Sequence, residues 1–370
     1  MRPSKLTTQL LLIFALGAGA LASTSLADGD DKRDRGRKAS SPHDDRPLVI
    51  AHRGASGYRP EHTLAAYALG ARMGADYIEP DLVSTKDGVL VARHENEISQ
   101  TTDVEEHPEF EDRRTTKTIE PGLTLTGWFT EDFTLAELKT LRAEERIPEL
   151  RQENTIYNGR YQVPTLQEVI DLSRRLSREM DRTIGIYPET KHPAYFRDVG
   201  LPLERPLVAT LRRNDLDDRR DRIFVQSFEV WNLKELDRKI DSPLVQLFGA
   251  RGARPVGESF TYGDMATDAG LRDVSRYADG VGPSKDYIVP RNAAGASQPP
   301  TDFVQRAHRA GLLVHPYTFR NENAFLPLEL RSGPNPADYG DAFSEYEQFY
   351  GLDVDGLFSD NPDTAVEARQ

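Results

Sequence analysis

Two histidines stand at the ends of short apolar segments in the first half of the chain. His52 follows Leu48–Ala51, and His94 closes the segment that begins at Val89. An imidazole titrates near neutral pH, so two of them can accept and return a proton within one reaction. A lone histidine at a strand end is more often structural, but two of the chain's eight histidines in such positions favour catalysis. We therefore predict that His52 and His94 form an acid–base pair.

Three acidic residues also lie at or near the ends of predicted strands. Glu79 and Asp81 form a Glu-x-Asp pattern, and Glu189 belongs to the sequence Tyr187-Pro-Glu-Thr-Lys191. Three carboxylates, completed by water and substrate, suit a hard divalent cation such as Ca²⁺ or Mg²⁺. Surface salt bridging is the alternative that a Glu-x-Asp pattern alone would favour, but the nearby His94 favours a metal site.

Cationic and aromatic side chains could complete a site for a phosphate group. Arg53 can bind a phosphate with two hydrogen bonds, and Lys191 can add a point charge. His315 and Tyr317 end another predicted strand, and we predict that they belong to the substrate-binding site, where they line the pocket or contact the substrate. A phosphodiester is anionic and resists attack, so its hydrolysis needs a cation, a base and an acid. These residue types together indicate a phosphodiesterase.

Two further polar segments are interpreted as structural. His62 lies in a loop just before a predicted helix, and Asp360-Asn-Pro362 is interpreted as a turn that closes the last strand. Neither is assigned to the chemistry.

Short β-branched segments alternate with helical patterns along the chain, which is typical of parallel βαβ units. Two helix candidates begin with a capping box, Thr134-Leu-Ala-Glu137 and Thr165-Leu-Gln-Glu168, in which hydroxyl and carboxylate satisfy free backbone N–H groups. The strand candidates are 48–52, 77–83, 89–94, 183–188, 223–227, 244–248, 280–282, 312–317 and 356–359. The helix candidates include 63–73, 134–143, 165–180, 229–240, 265–277 and 301–310.

Nine strand candidates exceed the eight of a (β/α)₈ barrel by one, and a hairpin explains the surplus. Asp87-Gly88 between two apolar segments is a hairpin signal, and no crossover helix fits there. With a two-residue loop, Lys86 faces Val89 and Asp81 lies opposite His94. The predicted fold is therefore α/β, a (β/α)₈ TIM barrel.

A long segment interrupts the barrel pattern after the second histidine. Residues from about 95 to 164 are rich in charge, threonine and turn residues, and about 70 residues is too long for an ordinary βα loop. We predict a small insertion over the C-terminal mouth of the barrel, where such loops build the active site.

The N-terminus predicts export. Residues 1–27 combine a basic start, a short apolar run and small residues up to Ala27, as in a cleaved signal peptide. A transmembrane anchor is the alternative, but the apolar run is short for one. Residues 28–46 are charged and poor in apolar residues, which predicts a flexible linker before a barrel domain at 47–370. We expect a periplasmic or secreted protein without stable membrane insertion after cleavage.

Composition excludes some classes of site and partner. The chain has no cysteine, so disulfides and thiolate zinc sites are excluded. A net charge of −13 argues against nucleic acid as a partner, because the phosphate backbone demands basic surface. A small anionic substrate stays possible, since a metal and local cations can reverse the sign of a pocket.

The ordered set of motifs resembles the glycerophosphodiester phosphodiesterase family, and specifically its periplasmic bacterial branch. The resemblance covers nearly the whole chain after Pro47 and is weakest between residues 95 and 160. His62, Glu95 and Thr190 depart from the residues that are common in the family, and Glu95 could alter how His94 is oriented. The motifs are His52-Arg-Gly54, Pro60-Glu-His-Thr63, Gly74-Ala-Asp-Tyr-Ile-Glu-Pro-Asp81, Thr85-Lys-Asp-Gly88, His94, Gly185-Ile-Tyr-Pro-Glu-Thr-Lys191, Ala278-Asp-Gly-Val-Gly-Pro283, Val314-His-Pro-Tyr-Thr318 and Gly356-Leu-Phe-Ser-Asp-Asn-Pro362.

The resemblance implies a (β/α)₈ barrel that hydrolyses glycerophosphodiesters, such as glycerophosphocholine, to sn-glycerol 3-phosphate and an alcohol. It implies that His52 and His94 are catalytic and that Arg53 and Lys191 contact the phosphate. It also implies that the metal ligands, usually for Ca²⁺, are Glu79, Asp81 and Glu189.

Several alternatives stay open at this level. The substrate could instead be a lysophospholipid or a phospholipid headgroup, or the barrel could bind ligands without catalysis. Either histidine could be the acid, and the nucleophile could be water or the substrate's own glycerol hydroxyl, through a cyclic phosphate. The sequence does not indicate an oligomeric state.

Overall fold

The computed structural model describes residues 46–370. The predicted signal peptide, residues 1–27, and all but the last residue of the predicted linker lie outside the described residues. Within the described part, no helix combines the length and the apolar character needed to cross a membrane.

Strands and helices alternate along the described chain. The strands are β1 Leu48–His52, β2 Tyr77–Glu79, β3 Asp81–Ser84, β4 Leu90–Ala92, β5 Thr115–Glu120, β6 Leu123–Gly127, β7 Gly185–Ile186, β8 Glu189–Thr190, β9 Val225–Ser227, β10 Leu244–Phe248, β11 Gly280–Pro283, β12 Leu313–Val314 and β13 Gly356–Ser359. The α-helices are α1 Leu64–Arg72, α2 Leu135–Leu138, α3 Leu166–Glu179, α4 Pro193–Asp198, α5 Glu204–Arg213, α6 Val230–Leu236, α7 Tyr262–Met265, α8 Asp268–Val274, α9 Phe303–Arg309, α10 Ala342–Tyr350 and α11 Pro362–Ala368.

The parallel strands close into a barrel of eight positions. The pairing order is β13-β1-β2-β7 in one ladder and β12-β11-β10-β9-β8-β3-β4 in the other. Pro80 separates β2 from β3, and Pro188 lies between β7 and β8, because proline cannot donate a ladder hydrogen bond. Parallel bridges from Ile186 to Ile223 and from Phe319 to Ser359 join the two ladders. The predicted (β/α)₈ barrel is confirmed.

The helices cover the barrel with their apolar faces. In α3 the buried residues recur at helical spacing, as expected for an amphipathic helix on a sheet. Both predicted capping boxes form: Thr134 with Glu137 starts α2, and Thr165 with Glu168 starts α3. The candidate at 265–277 starts later than predicted, as α8 Asp268–Val274, because Thr267 caps the helix by accepting a hydrogen bond from the Gly270 N–H.

The surplus strand candidate, residues 89–94, forms β4 and pairs antiparallel with β3, as predicted. The register of this pair is one residue away from the prediction. Leu82 pairs with Ala92, so the residue opposite Asp81 is Arg93 and not His94. The loop has three residues, because the Thr85 hydroxyl accepts from the Val89 N–H and Gly88 adopts a φ of 78°. Such a turn followed by a left-handed residue is a common three-residue hairpin.

The barrel interior is apolar below its mouth. Gly185 leaves room for a large neighbour, since a Cβ there would lie 2.2 Å from the Tyr77 ring. His315 is fully buried in this region, and its Nδ1 lies 2.8 Å from the Tyr187 hydroxyl. The apolar residues of the interior are Leu48, Ile50, Tyr77, Tyr187, Phe224, Val245 and Phe358. Polar chemistry is thereby confined to the C-terminal ends of the strands.

The segment 95–164 packs its apolar residues into the same hydrophobic core as the barrel. Strands β5 and β6 form an antiparallel hairpin, which we call the insertion hairpin, and α2 follows it. Phe110 packs edge-on against Phe133 at 4.9 Å, and its carbonyl accepts a hydrogen bond from the Trp128 indole.

Candidate active site

A cavity of about 280 Å³ opens at the C-terminal ends of the barrel strands. Most of the side chains that the sequence assigned to chemistry meet there. Asp81 and His315 are the two assigned residues that do not line the cavity. The lining residues are His52, Arg53, Glu79, His94, Glu189, Lys191, Gln226, Phe228, Leu247, Tyr317, Thr318, Arg320 and Phe358.

Three buried carboxylates form the acidic part of the site. Glu79, Asp81 and Glu189 each offer an oxygen, and these oxygens lie within 4.8 Å of one another. The register places Asp81 beside Glu189 on neighbouring parallel strands, while Glu79 ends β2. Local strand geometry and barrel closure therefore bring the three together.

The carboxylates repel one another and are poorly solvated. Burial and the neighbouring Asp81 raise the pKa of Glu79 well above its ordinary value. Burial, opposed by Lys191 and reinforced by Asp81, raises the pKa of Glu189 to about 8. Burial would also raise the pKa of Asp81, but a hydrogen bond from His62 and the charge of Arg53 hold it well below its ordinary value.

The donor set fits a hard divalent cation. The three carboxylates supply oxygen ligands only, as Ca²⁺ and Mg²⁺ prefer. Gln226 lies beside Glu79: its amide N–H donates to Glu79 at 3.1 Å, and its buried Oε1 has no hydrogen-bond partner among the described residues. A cation would relieve the mutual repulsion that raises two of the pKa values.

His52 ends β1, and a carboxylate contacts its Nδ1. Its Nδ1 lies 2.6 Å from Asp360 Oδ1. Burial raises the pKa of Asp360, but Arg320 and Arg151 hold it well below the ordinary value, so the carboxylate is ionised and accepts. The proton therefore lies on Nδ1, and Nε2 is the acceptor nitrogen of His52. Burial and Arg53 lower the pKa of His52 to about 4, which keeps the ring neutral.

His94 shows the same arrangement on the opposite side of the site. Its Nδ1 lies 3.0 Å from Glu95 Oε1, and Lys191 Nζ lies 3.4 Å from its Nε2. Burial, with the charges of Arg53 and Lys191, lowers the pKa of His94. Each of the two histidines thus presents Nδ1 to a carboxylate, which leaves Nε2 for proton exchange.

Arg53 is positioned by its backbone as well as by its side chain. A φ of 59° turns its N–H to Glu79 Oε2 at 2.8 Å. The guanidinium contacts Glu61 at 3.1 Å and lies 3.4 Å from Asp81. Lys191 contacts Glu189 at 3.2 Å. These two cations offset the negative charge of the carboxylates within the cavity.

Comparison with known proteins identifies the family. Residues 52–364 match the glycerophosphoryl diester phosphodiesterase family. A glycerophosphodiester phosphodiesterase of Arabidopsis thaliana is 39% identical over 328 residues, which cover 85% of this chain and 84% of the relative. The chain belongs to the glycerophosphoryl diester phosphodiesterase family. The predicted enzyme class, phosphoric diester hydrolase, is confirmed.

A glycerophosphodiester phosphodiesterase and a solved phosphodiesterase structure also resemble this chain over most of its length. One from Haemophilus influenzae is 27% identical, covering 96% of this chain and 97% of its own. The solved structure of an Oleispira antarctica phosphodiesterase, in complex with the product sn-glycerol-3-phosphate, superposes with a TM-score of 0.57. That structure is 20% identical and covers 87% of this chain and 96% of its own, so it supports the fold.

The phosphodiesterase site contains residues that the sequence did not assign to it. Asp360, interpreted as part of a turn, contacts Arg151 at 2.6 Å and Arg320 at 2.7 Å in addition to His52. Arg151 comes from the insertion, and it also bonds Glu322 at 2.6 Å and the Ser56 carbonyl. The signal that could have found Asp360 is its place directly after the last barrel strand.

His62 was interpreted as structural, and the structure places it behind a metal-ligand candidate. Its Nε2 lies 2.9 Å from Asp81 Oδ2, and its Nδ1 lies 2.7 Å from the Tyr67 hydroxyl. His62 is fully buried. It therefore orients the Asp81 carboxylate from the side away from the cavity.

His315 and Tyr317, which the sequence assigned to the substrate site, have different positions in this phosphodiesterase. Tyr317 lines the cavity, where its hydroxyl donates to the Phe248 carbonyl at 2.7 Å and its ring meets Phe228 edge-on at 6.0 Å. His315 points into the barrel interior instead, because residues two apart on this segment lie at different depths and Tyr187 binds the imidazole. His315 therefore does not line the cavity.

Proposed function

We propose that this chain hydrolyses glycerophosphodiesters, such as glycerophosphocholine, to sn-glycerol 3-phosphate and an alcohol. The proposed cofactor is a divalent cation, with Ca²⁺ preferred over Mg²⁺. The supporting observation is that His52 and His94, each with Nδ1 on a carboxylate, share one cavity with the buried Glu79 and Glu189. The product bound to the Oleispira antarctica relative supports sn-glycerol 3-phosphate as the released phosphate.

The acidic residues and the cations divide the work of holding the substrate. Glu79, Asp81 and Glu189 would hold the cation, which when bound supplies Lewis-acid stabilisation of the phosphoryl oxygens. Arg53 and Lys191 neutralise the remaining charge of the phosphate, since both reach the cavity and carry raised pKa values that keep them charged. The Gln226 amide keeps Glu79 in place.

The two histidines exchange protons with the reacting groups. Nε2 of one neutral histidine takes the proton of the nucleophile. The other histidine, neutral in the free site, carries a second proton when the anionic phosphate is bound, and its Nε2 donates that proton to the leaving alcohol. Asp360 and Glu95 hold the rings in the required tautomer and stabilise each imidazolium as it forms. The near symmetry of the two sites does not favour one histidine as the base.

The nucleophile is either water or a glycerol hydroxyl of the substrate. Attack by the hydroxyl would give a cyclic phosphate, which water then opens. Single-turnover quenching separates the routes, because only the second route produces a cyclic glycerol phosphate before the final product.

The cavity suits a small substrate better than a two-chain lipid. Its volume of about 280 Å³ lies at the low end for ligand pockets. One wall is charged, and the other carries Phe228, Leu247, Tyr317 and Phe358, which can pack on the carbon atoms of glycerol or of the alcohol.

We further propose that the protein acts after export, in the periplasm or outside the cell. This rests on the signal-peptide pattern of residues 1–27. N-terminal sequencing of the protein from its native cell should start at Asp28, and a chain that retains Met1 in the cytoplasm would contradict export.

One assay tests the function. The purified mature chain is incubated with glycerophosphocholine, with Ca²⁺ or with chelator, and sn-glycerol 3-phosphate is measured enzymatically. We expect release with Ca²⁺ and none with chelator. No release with any divalent cation from a folded protein would overturn the proposal and direct the search to larger lipid substrates.

A further inference from the structure

His192 lies next to the site but has no part in the proposed chemistry. Its Nε2 lies 2.8 Å from Glu95 Oε2, and its Nδ1 lies 2.5 Å from Glu120 Oε1. Ionised carboxylates only accept hydrogen bonds, so both ring nitrogens carry protons and the ring is an imidazolium. Burial lowers the pKa of His192, but the hydrogen bonds to the two carboxylates outweigh burial and raise the pKa to about 9.

Glu95 contacts two histidines with its two oxygens. Oε2 faces His192, and Oε1 lies 3.0 Å from His94 Nδ1. Burial raises the pKa of Glu95, but the hydrogen bonds from His192 and His94 outweigh burial and hold it far below the ordinary value. The carboxylate that orients His94 is therefore itself oriented by His192.

Glu120 brings the insertion hairpin into this arrangement. It ends β5, after an irregularity in register between Thr118 and Glu120 that buries the intervening Ile119. Two hydrogen bonds of His192 and the contact of Glu95 with His94 thus run in series from the hairpin to His94. The barrel holds the middle of the series, because His192 lies two residues after the end of β8.

We propose that His192 is a positioning residue that couples the insertion hairpin to His94. It fixes the Glu95 carboxylate in the orientation that holds His94 Nδ1, so that His94 Nε2 faces the cavity. His192 does not line the cavity, so it acts through His94 and not on the substrate. The proposal rests on the proposed function, because it concerns one of the same two histidines.

The charges around Glu95, His192 and Glu120 set the direction in which the pKa of His94 should change when His192 is replaced. The positive charge of His192 offsets part of the negative charge with which Glu95 stabilises protonated His94. Without that imidazolium, Glu95 stabilises protonated His94 more strongly, and the pKa of His94 rises. The charged groups facing His94 are Glu95, Lys191, Arg53 and Glu61, and those facing His192 are Glu95, Glu120, Lys191 and Glu229.

The test variant, His192→Gln, removes the positive charge of His192 and keeps a side chain that can form hydrogen bonds. In His192→Gln we expect kcat to fall by about tenfold or more, with KM within about twofold, because His94 is misoriented while the cavity is intact. The limb of the pH–rate profile that His94 controls should move upward by on the order of one pH unit. Glu120→Gln should shift the same limb downward and by less, because it removes a negative charge and leaves the His192 imidazolium more fully to Glu95.

His308→Gln is the matched control. His308 also faces a carboxylate, Asp355, at 2.9 Å, but Asp355 precedes β13 at the opposite end of the barrel. This variant should keep the wild-type pH profile. An upward shift in His192→Gln and none in His308→Gln would support the coupling, and equal profiles for all folded variants would overturn it.

A readout without turnover separates this proposal from the proposed function. Imidazole ¹⁵N NMR of the eight histidines follows the His94 titration in wild type and in His192→Gln, assigned with His94→Gln. A higher midpoint in the variant supports the coupling even if glycerophosphocholine is not hydrolysed. An unchanged midpoint overturns it even if the enzyme is active.

Discussion

Asp360 Oδ1 lies 2.6 Å from His52 Nδ1, although 308 positions separate the two residues along the chain. Barrel closure makes this contact, because Ala51 of β1 pairs with Ser359 of β13 and the next residue of each strand follows at the mouth. The contact sets the tautomer of His52. Asp360 is in turn held by Arg151 and Arg320, so the first strand, the last strand and the insertion meet at one carboxylate.

Asp360→Asn should lower kcat by about 10²–10⁴-fold, because an amide can present its N–H to His52 and favour the wrong tautomer. KM for glycerophosphocholine should change little. Asp363→Asn is the control, since Asp363 bonds the Tyr58 hydroxyl at an exposed position. Steady-state kinetics of the two variants would decide, and a kcat loss below about tenfold in Asp360→Asn would exclude the tautomer role.

His52→Gln and His94→Gln should each reduce kcat by about 10²–10⁴-fold, as expected for loss of a general acid or base. The double variant should lose less than the product of the two, because the proton transfers act in one reaction. His107→Gln, in the insertion and paired with Glu109 at 3.0 Å, is the control. An effect below about tenfold for either histidine, in folded protein, would remove it from the acid–base pair.

Chelated protein should lose stability as the pH rises from about 4.5 to about 8. An unfolded chain ionises Glu189 above its ordinary pKa of 4.5, whereas the folded protein keeps the proton until the pKa of about 8, so rising pH favours unfolding over this window. Added Ca²⁺ should therefore raise Tm more at pH 8 than at pH 5. Thermal melts with chelator and with Ca²⁺ measure this.

The matched variants test whether the acidic residues cause the effect. Glu189→Gln should flatten the pH dependence of the chelated protein and reduce the Ca²⁺-induced rise in Tm. Glu179→Gln, an exposed partner of Arg175, should keep both. A Ca²⁺-induced rise that persists undiminished in Glu189→Gln would place the cation elsewhere.

Arg151→Met should lower the free energy of unfolding by about 3–5 kcal/mol, because it leaves the buried carboxylates of Asp360 and Glu322 without this partner. Urea titration measures the loss. Arg175→Met is the control, since the exposed Arg175–Glu179 pair should contribute less than about 1 kcal/mol. Similar losses in the two variants would show that Arg151 does not anchor the insertion to the barrel.

Much of the site was visible in the sequence because it is local. His52, Glu79 and Glu189 lie at strand ends, and the ends of parallel strands in a barrel face one mouth. Capping at Thr134 and Thr165 was also readable, since it depends on residues three apart. The hairpin after β3 was predicted, but its register was wrong, because one residue of loop length depends on the backbone angle of Gly88.

The sequence by itself determined the alternation of strands and helices, the strand-end positions of the histidines and carboxylates, and the family. These properties depend on residue type and short spacing. Tertiary structure alone decided that Asp360 holds His52, that Arg151 reaches the barrel from the insertion, and that His192 joins Glu95 to Glu120. Those contacts join distant segments, and barrel closure and burial bring their charges together where no sequence spacing records them.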